Sequence, residues 1–473
     1  MKKALALFLV LLTCGFCGMG AATAYLSDRQ DQVEVTPVAE QGDSAVAQGL
    51  ELVVNSYFQS MKWSTTYRPG QQPAAHTLSH FKRYWSNAAR LDDLYPGRVS
   101  EGLIVAISHA YNTYDEDESS AGLPQAYREL AEEVGDLEEK SRVIRYKDYE
   151  PFYNIHCSVA WWDSDTDLPS EKMSTAQWNE LTAVKEAQNE TVEQFFRIPV
   201  LEEETHLITL SKQSNGTVSN YGHGLTDSDY FQFYVHSDEV AVTDQAAYFT
   251  FSNRTHHGNL VDTSHIPGGY GIYCLPYTRD YDPMTETGIL VDQLAMVYPV
   301  DPQDEILSLD ISLDQSKLIL RTLEEDLLVV TIIDVPSMTT LQRLEICRVE
   351  QKEDLDIRLD QEQDIFLLWT GEEYRFFVMQ EDGTYKQELT FEGAYIGYAA
   401  DMAWDGSRLA LGSVTRTDAM TPDDDNFFIL WVYGSGGVYY QGRFDISLIS
   451  KIRDESVQQV RETAINPIRL TWT

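Results

Sequence analysis

The chain has 473 residues, with 75 acidic side chains against 35 lysines and arginines and a formal net charge of −40. Negative charge at that density repels phosphate backbones and anionic headgroups, which argues against nucleic acid as a partner. With 43% apolar residues the chain can bury a core, and its length suits two or three ordinary domains or one large repeat-built domain with an accessory region.

The first element, residues 1–27, places Lys2 and Lys3 before an uncharged run from Ala4 to Ser27, the grammar of an export signal. Three fates are open. Ala22-Thr23-Ala24 resembles a signal-peptidase site, Leu11-Leu12-Thr13-Cys14 is similar to a bacterial lipobox with Thr in place of a smaller residue, and the apolar run is long enough to stay as a membrane anchor. All three deliver the rest of the chain to the far side of a membrane, and the Met-Lys-Lys start points to a bacterial cell envelope. Cys14 and Cys17 lie inside this segment, so their C-x-x-C spacing carries no redox or zinc reading. Cys157, Cys274 and Cys347 remain, and either one disulfide or three thiols fits them.

Residues 28–145 are expected to be mostly helical. Val46, Leu50, Val53, Val54, Tyr57, Phe58 and Met61 recur at helical spacing behind Ser44, and Phe81, Tyr84, Trp85 and Ala88 repeat the pattern between Ser79 and Leu91. A third helix is expected from Pro124, a residue suited to a first helical turn, whereas "GLIVAISHAY" reads as helix or strand.

From Tyr146 the apolar period becomes two. Asn215-Gly216 inside "HLITLSKQSNGTVSNYG" predicts a hairpin, and Ser174-Thr-Ala-Gln177 is a capping box that opens one helix. Then one phrase is spelled three times: "DISLDQSKLILR" from Asp310, "DIRLDQEQDIFLLW" from Asp356 and "DMAWDGSRLALG" from Asp401. Each copy reads as a strand, a turn at Asp314, Asp360 or Asp405, and a second strand, with two more strands following before the next copy. Four antiparallel strands per unit of about 45 residues make a propeller blade.

Here the sequence resembles WD-repeat and TolB-like β-propellers, whose blades carry a Ser-Pro-Asp-Gly-type turn; Ala403-Trp404-Asp405-Gly406-Ser407-Arg408-Leu409 is the nearest match. The copies lack the proline, and no Trp-Asp dipeptide closes a third strand, so the resemblance concerns architecture. "EVAVTDQAAYFTF" from Glu239 fits the phrase with a slip and marks a fourth blade. Residues 146–473 then have room for about seven four-stranded blades, with "IRLTWT" near the C-terminus placed to join a blade built from earlier chain. The expected fold is mainly β, a β-propeller behind a helical N-terminal region.

Candidate chemistry is sparse. No G-x-S-x-G occurs, and all ten histidines lie between His76 and His265. His76 and His80 have zinc-protease spacing without the neighbouring glutamate, and His223, His256 and His257 fall in Gly- and Asn-containing stretches that read as solvated turns. Asp163, Asp165 and Asp167 alternate as the start of a calcium loop does, but Leu168 and Ser174 stand where such a loop needs Gly and Glu; calcium is the one cofactor suggested. Asp310, Asp356 and Asp401 recur at one position of consecutive blades, just before a channel-lining strand, and could form an arc of carboxylates at a channel mouth. The competing account gives each aspartate only backbone N–H groups to satisfy.

The sequence therefore points to an exported, envelope-tethered binding or sensing ectodomain, non-enzymatic, whose propeller face engages a protein, peptide or glycan. The alternative is a carbohydrate hydrolase or lyase acting through the channel aspartates.

Overall fold

The computed structural model describes residues 15–21, 23–24, 33–58, 61–69, 75–80, 103–109, 123–161, 174–235, 240–282, 286–349, 355–360, 363–371, 373–392, 401–415, 427–448 and 465–473. In chain order these give β1 (Val33–Gly42), β2 (Leu50–Phe58), β3 (Met61–Tyr67), β4 (Ala75–His80), β5 (Leu103–His109), α1 (Leu123–Glu133), β6 (Glu139–Arg145) and β7 (Ile155–Trp161). There follow α2 (Thr175–Phe195), β8 (Thr205–Lys212), β9 (Val218–Leu225), β10 (Tyr234–Val235), β11 (Ala241–Val242), β12 (Ala246–Phe249), β13 (Gly271–Pro276) and β14 (Ala295–Pro299). The repeats supply β15 (Glu305–Ile311), β16 (Lys317–Glu324), β17 (Leu327–Asp334), β18 (Thr339–Arg348), β19 (Leu355–Asp360), β20 (Ile365–Thr370), β21 (Glu373–Met379) and β22 (Tyr385–Glu392). The last strands are β23 (Asp401–Trp404), β24 (Leu409–Thr415), β25 (Phe427–Gly434), β26 (Gly437–Leu448) and β27 (Ile465–Trp472). The fold is mainly β, and the chain divides into two compact units.

One unit joins residues 1–99 to residues 351–473. It holds the meander β19-β20-β21-β22 and the meander β23-β24-β25-β26, to which β1 adds a fifth strand along β26. Its third sheet runs β27-β2-β3-β4: the C-terminal strand pairs antiparallel with β2, Leu50 opposite Trp472 and Leu52 opposite Leu470. The expected union of "IRLTWT" with earlier chain is this pairing. Leu50, Leu52, Val54, Leu470, Phe428 and Phe444 share one core, and Tyr67 packs on Phe444 at 4.6 Å.

The helical expectation for residues 28–145 is corrected here. Apart from a short 3-10 turn at Ser44–Ala47, the described residues from 33 to 80 are strands. Leu50 and Val54 of the expected stripe fall at period two with Leu52 between them. Leu50, Leu52 and Val54 are buried in alternation, and the β-branched and aromatic residues around them fit a pleated surface better than a helix. His76 and His80 lie on β4, so they share no helical face, and beyond His80 the second expected helix falls outside the described residues. "GLIVAISHAY" resolves as strand β5, and the helix expected at Pro124 is present as α1.

The other unit, residues 100–350, contains the meanders β11-β12-β13-β14 and β15-β16-β17-β18. Between β5 and β10, strands of the sheet β10-β5-β7, the chain makes an inserted layer of α1 on the separate sheet β6-β8-β9, and also α2, which packs against β7. The predicted capping box is formed at Ser174 and Gln177, and Gly216 turns the β8–β9 hairpin at φ 84°, where a side chain would be strained. Ala126, Tyr127 and Leu130 of α1 are buried in one core with Ile144 of β6 and Ile208 and Leu210 of β8.

Candidate functional site

In β8 the residues on the buried side are His206, Ile208 and Leu210, so period two carries a histidine into a face otherwise made of aliphatic side chains. A buried imidazole needs partners for both ring nitrogens. His206 has them. Its Nε2 lies 2.7 Å from Oε1 of Glu204, itself fully buried, and its Nδ1 lies 2.8 Å from Nε2 of His223 on β9. The β8–β9 register places His223 opposite Ile208, diagonal to His206.

The other carboxylate oxygen of Glu204 accepts a hydrogen bond from the hydroxyl of buried Tyr153, and the ring of Tyr146 stacks on His206 at 4.3 Å. Phe231 closes over Tyr153 at 5.3 Å. The result is a continuous polar chain, Tyr153–Glu204–His206–His223, leading from the core to a half-buried imidazole. Burial and the adjacent His206 pull the His223 pKa down to about 4. His223 is therefore neutral at pH 7, and such a chain can pass or hold a proton along fixed hydrogen bonds.

The expectation that His223 is a solvated turn residue is thus corrected: it lies on a strand with its ring against His206. His256 and His257 do sit in a turn, but one clamped by Asp229, whose carboxylate takes hydrogen bonds from the His257 N–H, Thr255 Oγ1 and Asn259 Nδ2. Glu204 and His206 were missed from the sequence, although the alternation through Ile208 and Leu210 already assigns His206 to the buried side.

The repeated aspartates stand at different offsets from their hairpin turns. Asp310 lies opposite Ile319, Asp356 opposite Trp369 and Asp401 opposite Gly412, so each stands at a different distance from its hairpin turn, and each is within its strand rather than ahead of it. Asp401 Oδ2 accepts the backbone N–H of Leu470 at 2.6 Å, on the outer edge of β27. Asp310 belongs to one unit and Asp356 and Asp401 to the other.

The turn aspartates behave alike. Burial opposes ionisation of Asp314, but hydrogen bonds from Ser316 and Ser312 and the charge of Lys317 outweigh it and hold the carboxyl at about 2. At Asp405 burial is likewise outweighed, here by the N–H groups and side chains of Arg408 and Ser407, and its pKa is lowered.

Asp163, Asp165 and Asp167 fall outside the described residues, and among the described residues no group of three His, Cys, Asp or Glu side chains could hold a metal ion. Cys274 and Cys347 form no disulfide.

No family model matches the chain, and no curated protein matches it in sequence. Solved structures similar to it include the WD40 domain of SCAP from fission yeast, at 8% identity over 88% of this chain and 88% of that one, with a TM-score of 0.25. The β-propeller domain of Cps50 from Myceliophteria thermophila aligns at 9% identity over 54% of this chain and 94% of that one, with a TM-score of 0.22. The β-propeller domain of the trilobed protease from Pyrococcus furiosus aligns at 10% identity over 41% of this chain, which spans 54% of that chain, with a TM-score of 0.22. At such TM-scores these alignments carry no argument, and the blade-like units are assigned from the strand order of this chain. In architecture the chain resembles β-propeller repeat proteins.

Proposed function

We propose that the protein is an exported β-propeller ectodomain of a bacterial cell envelope, non-enzymatic, which binds or senses a protein, peptide or glycan. The observation that carries this reading is the inserted layer of α1 on the sheet β6-β8-β9, which interrupts the strands of one sheet and bears His206 and His223 of the Tyr153–Glu204–His206–His223 chain. A scaffold made only of repeated meanders has no need of such a layer. Departures of this kind from a rigid repeat are where recognition concentrates. The apolar segment at residues 1–27 supports export and a tether. Among the described residues no helix is long and apolar enough to cross a membrane, and the proposed membrane contact is through that N-terminal segment alone.

The carbohydrate-hydrolase alternative asks Asp310, Asp356 and Asp401 to act together, whereas the Asp401 carboxylate is engaged by the Leu470 N–H.

Thermal unfolding of the chain from residue 28 onward, against panels of peptides and glycans, tests the proposal. A ligand held by the native state at a hundred times its Kd stabilises by about 2.7 kcal/mol and raises the melting temperature. Cleavage of a glycan by the wild-type protein, abolished by Asp310→Asn or Asp356→Asn, would replace the binding function with the hydrolytic one. Millimolar calcium in a parallel series tests Asp163, Asp165 and Asp167.

A further inference from the structure

The sequence contains one Asn-Gly step, Asn215-Gly216, and the fold places it at the exposed tip of the β8–β9 hairpin. Gln213 N donates to the Thr217 carbonyl at 2.8 Å and Gly216 N to the Gln213 carbonyl at 3.0 Å, which closes a tight turn. Inside it the Thr217 N–H donates to Asn215 Oδ1 at 3.0 Å. That bond lays the carboxamide along the Gly216 peptide and polarises its C=O. A Cβ added to Gly216 would meet, among the described residues, Asp136 Oδ1 at 3.8 Å and nothing closer, so no side chain shields the Gly216 nitrogen from Asn215 Cγ. Its hydrogen bond to Gln213 lies at an exposed hairpin tip, where local opening costs little.

We propose that Asn215 is a site of spontaneous covalent modification, in which Gly216 N displaces ammonia from the Asn215 carboxamide and water reopens the resulting succinimide to aspartate or isoaspartate. Gly216 N gives its proton to hydroxide and bonds to Cγ; the Cγ–Nδ2 bond breaks, and that nitrogen leaves as ammonia with a proton taken from water. Water then adds to one ring carbonyl and cleaves its C–N bond. Either product sets a new carboxylate in a turn that Asp136 already faces. Isoaspartate also lengthens the main chain by one carbon inside the Gln213–Thr217 closure, which loosens the hairpin that carries His206 and His223.

The fold singles this position out. Asp382-Gly383 and Asp405-Gly406 can close the same ring only from the neutral acid, by losing water. Hydrogen bonds from Thr384 lower the Asp382 pKa, and at Asp405 burial is outweighed by Arg408 and Ser407, so both remain carboxylates, whose carbon resists a nucleophile. Asn253, which precedes Arg254, is fully buried with Nδ2 bound to the Pro302 carbonyl at 2.8 Å.

The test is incubation of the full chain at pH 7.5 in 18O-enriched water, followed by peptide mass mapping, beside a free peptide spanning residues 212–220. The folded chain is expected to take up 18O at position 215 at a rate within about tenfold of the free peptide, because the rate scales with the fraction of competent conformers. Uptake is expected to rise from pH 6 to pH 8 and to be absent from the same fragment of Asn215→Gln. Conversion more than about tenfold slower than in the peptide, or isoaspartate forming at residue 382 or 405 as fast as at 215, overturns the proposal.

Discussion

Replacing Asp401 by Ala removes the acceptor of the Leu470 N–H, which points away from β2 on the outer edge of β27. The same edge is held by Trp472 Nε1, which donates to the Ala403 carbonyl at 3.2 Å, and by the Arg408 guanidinium, 4.3 Å above the Trp472 ring. A hydrogen bond to a charged acceptor in a partly buried setting contributes about 1.5–3 kcal/mol, so Asp401→Ala is expected to cost about 2 kcal/mol. For a unit of roughly 220 residues, an unfolding entropy of about 2.1 cal/mol/K per residue converts that loss to about 4 °C in Tm. Asp401→Asn keeps an acceptor oxygen and is expected to lose about half as much, roughly 1 kcal/mol. Calorimetry gives the shift, and hydrogen exchange at Leu470 locates it. An Asp401→Ala protein with unchanged Tm and an equally protected Leu470 amide would refute the reasoning and return Asp401 to the candidate binding residues.

Three further outcomes follow from single residues. Gln315 adopts φ 58° in the turn of the first repeat, where the third repeat has Gly406 at φ 94°; Gln315→Gly is expected to stabilise by about 0.5–1 kcal/mol in urea unfolding. The pKa of Glu150 is raised to about 7 by burial and by Glu193, so the native state binds its proton more tightly, and stability falls as pH rises from about 4.5 through 7. After discounting for the half-exposed site, Glu150→Gln is expected to gain about 1–2 kcal/mol at pH 8 and almost nothing at pH 4 in paired denaturation curves. Tyr153→Phe deprives buried Glu204 of a donor and is expected to cost about 2 kcal/mol at pH 7.5 by the same measurement.

The repeated phrase made the meanders of residues 301–448 legible, because strand alternation and an Asp-centred turn are local signals. β15 to β18, β19 to β22 and β23 to β26 follow it in order. The union of β27 with β2 was legible because an isolated strand-like tail needs a sheet to join. The strands of residues 33–67 were not: Leu50, Val53, Val54 and Tyr57 recur at helical spacing while Leu50, Leu52 and Val54 recur at period two, and the competing strands arrive from the far end of the chain. The polar chain was half legible. His206 stands in a clean alternation, but Tyr146, Tyr153 and Glu204 meet it through tertiary packing that no spacing announces.

The most direct test of the account is the protonation of His223, read by long-range 1H–15N correlation of 15N-histidine-labelled protein from pH 7.5 to 3.5. His223 is predicted to stay neutral through pH 5 and to gain its proton near pH 4. His223 found as imidazolium at pH 5 would contradict it.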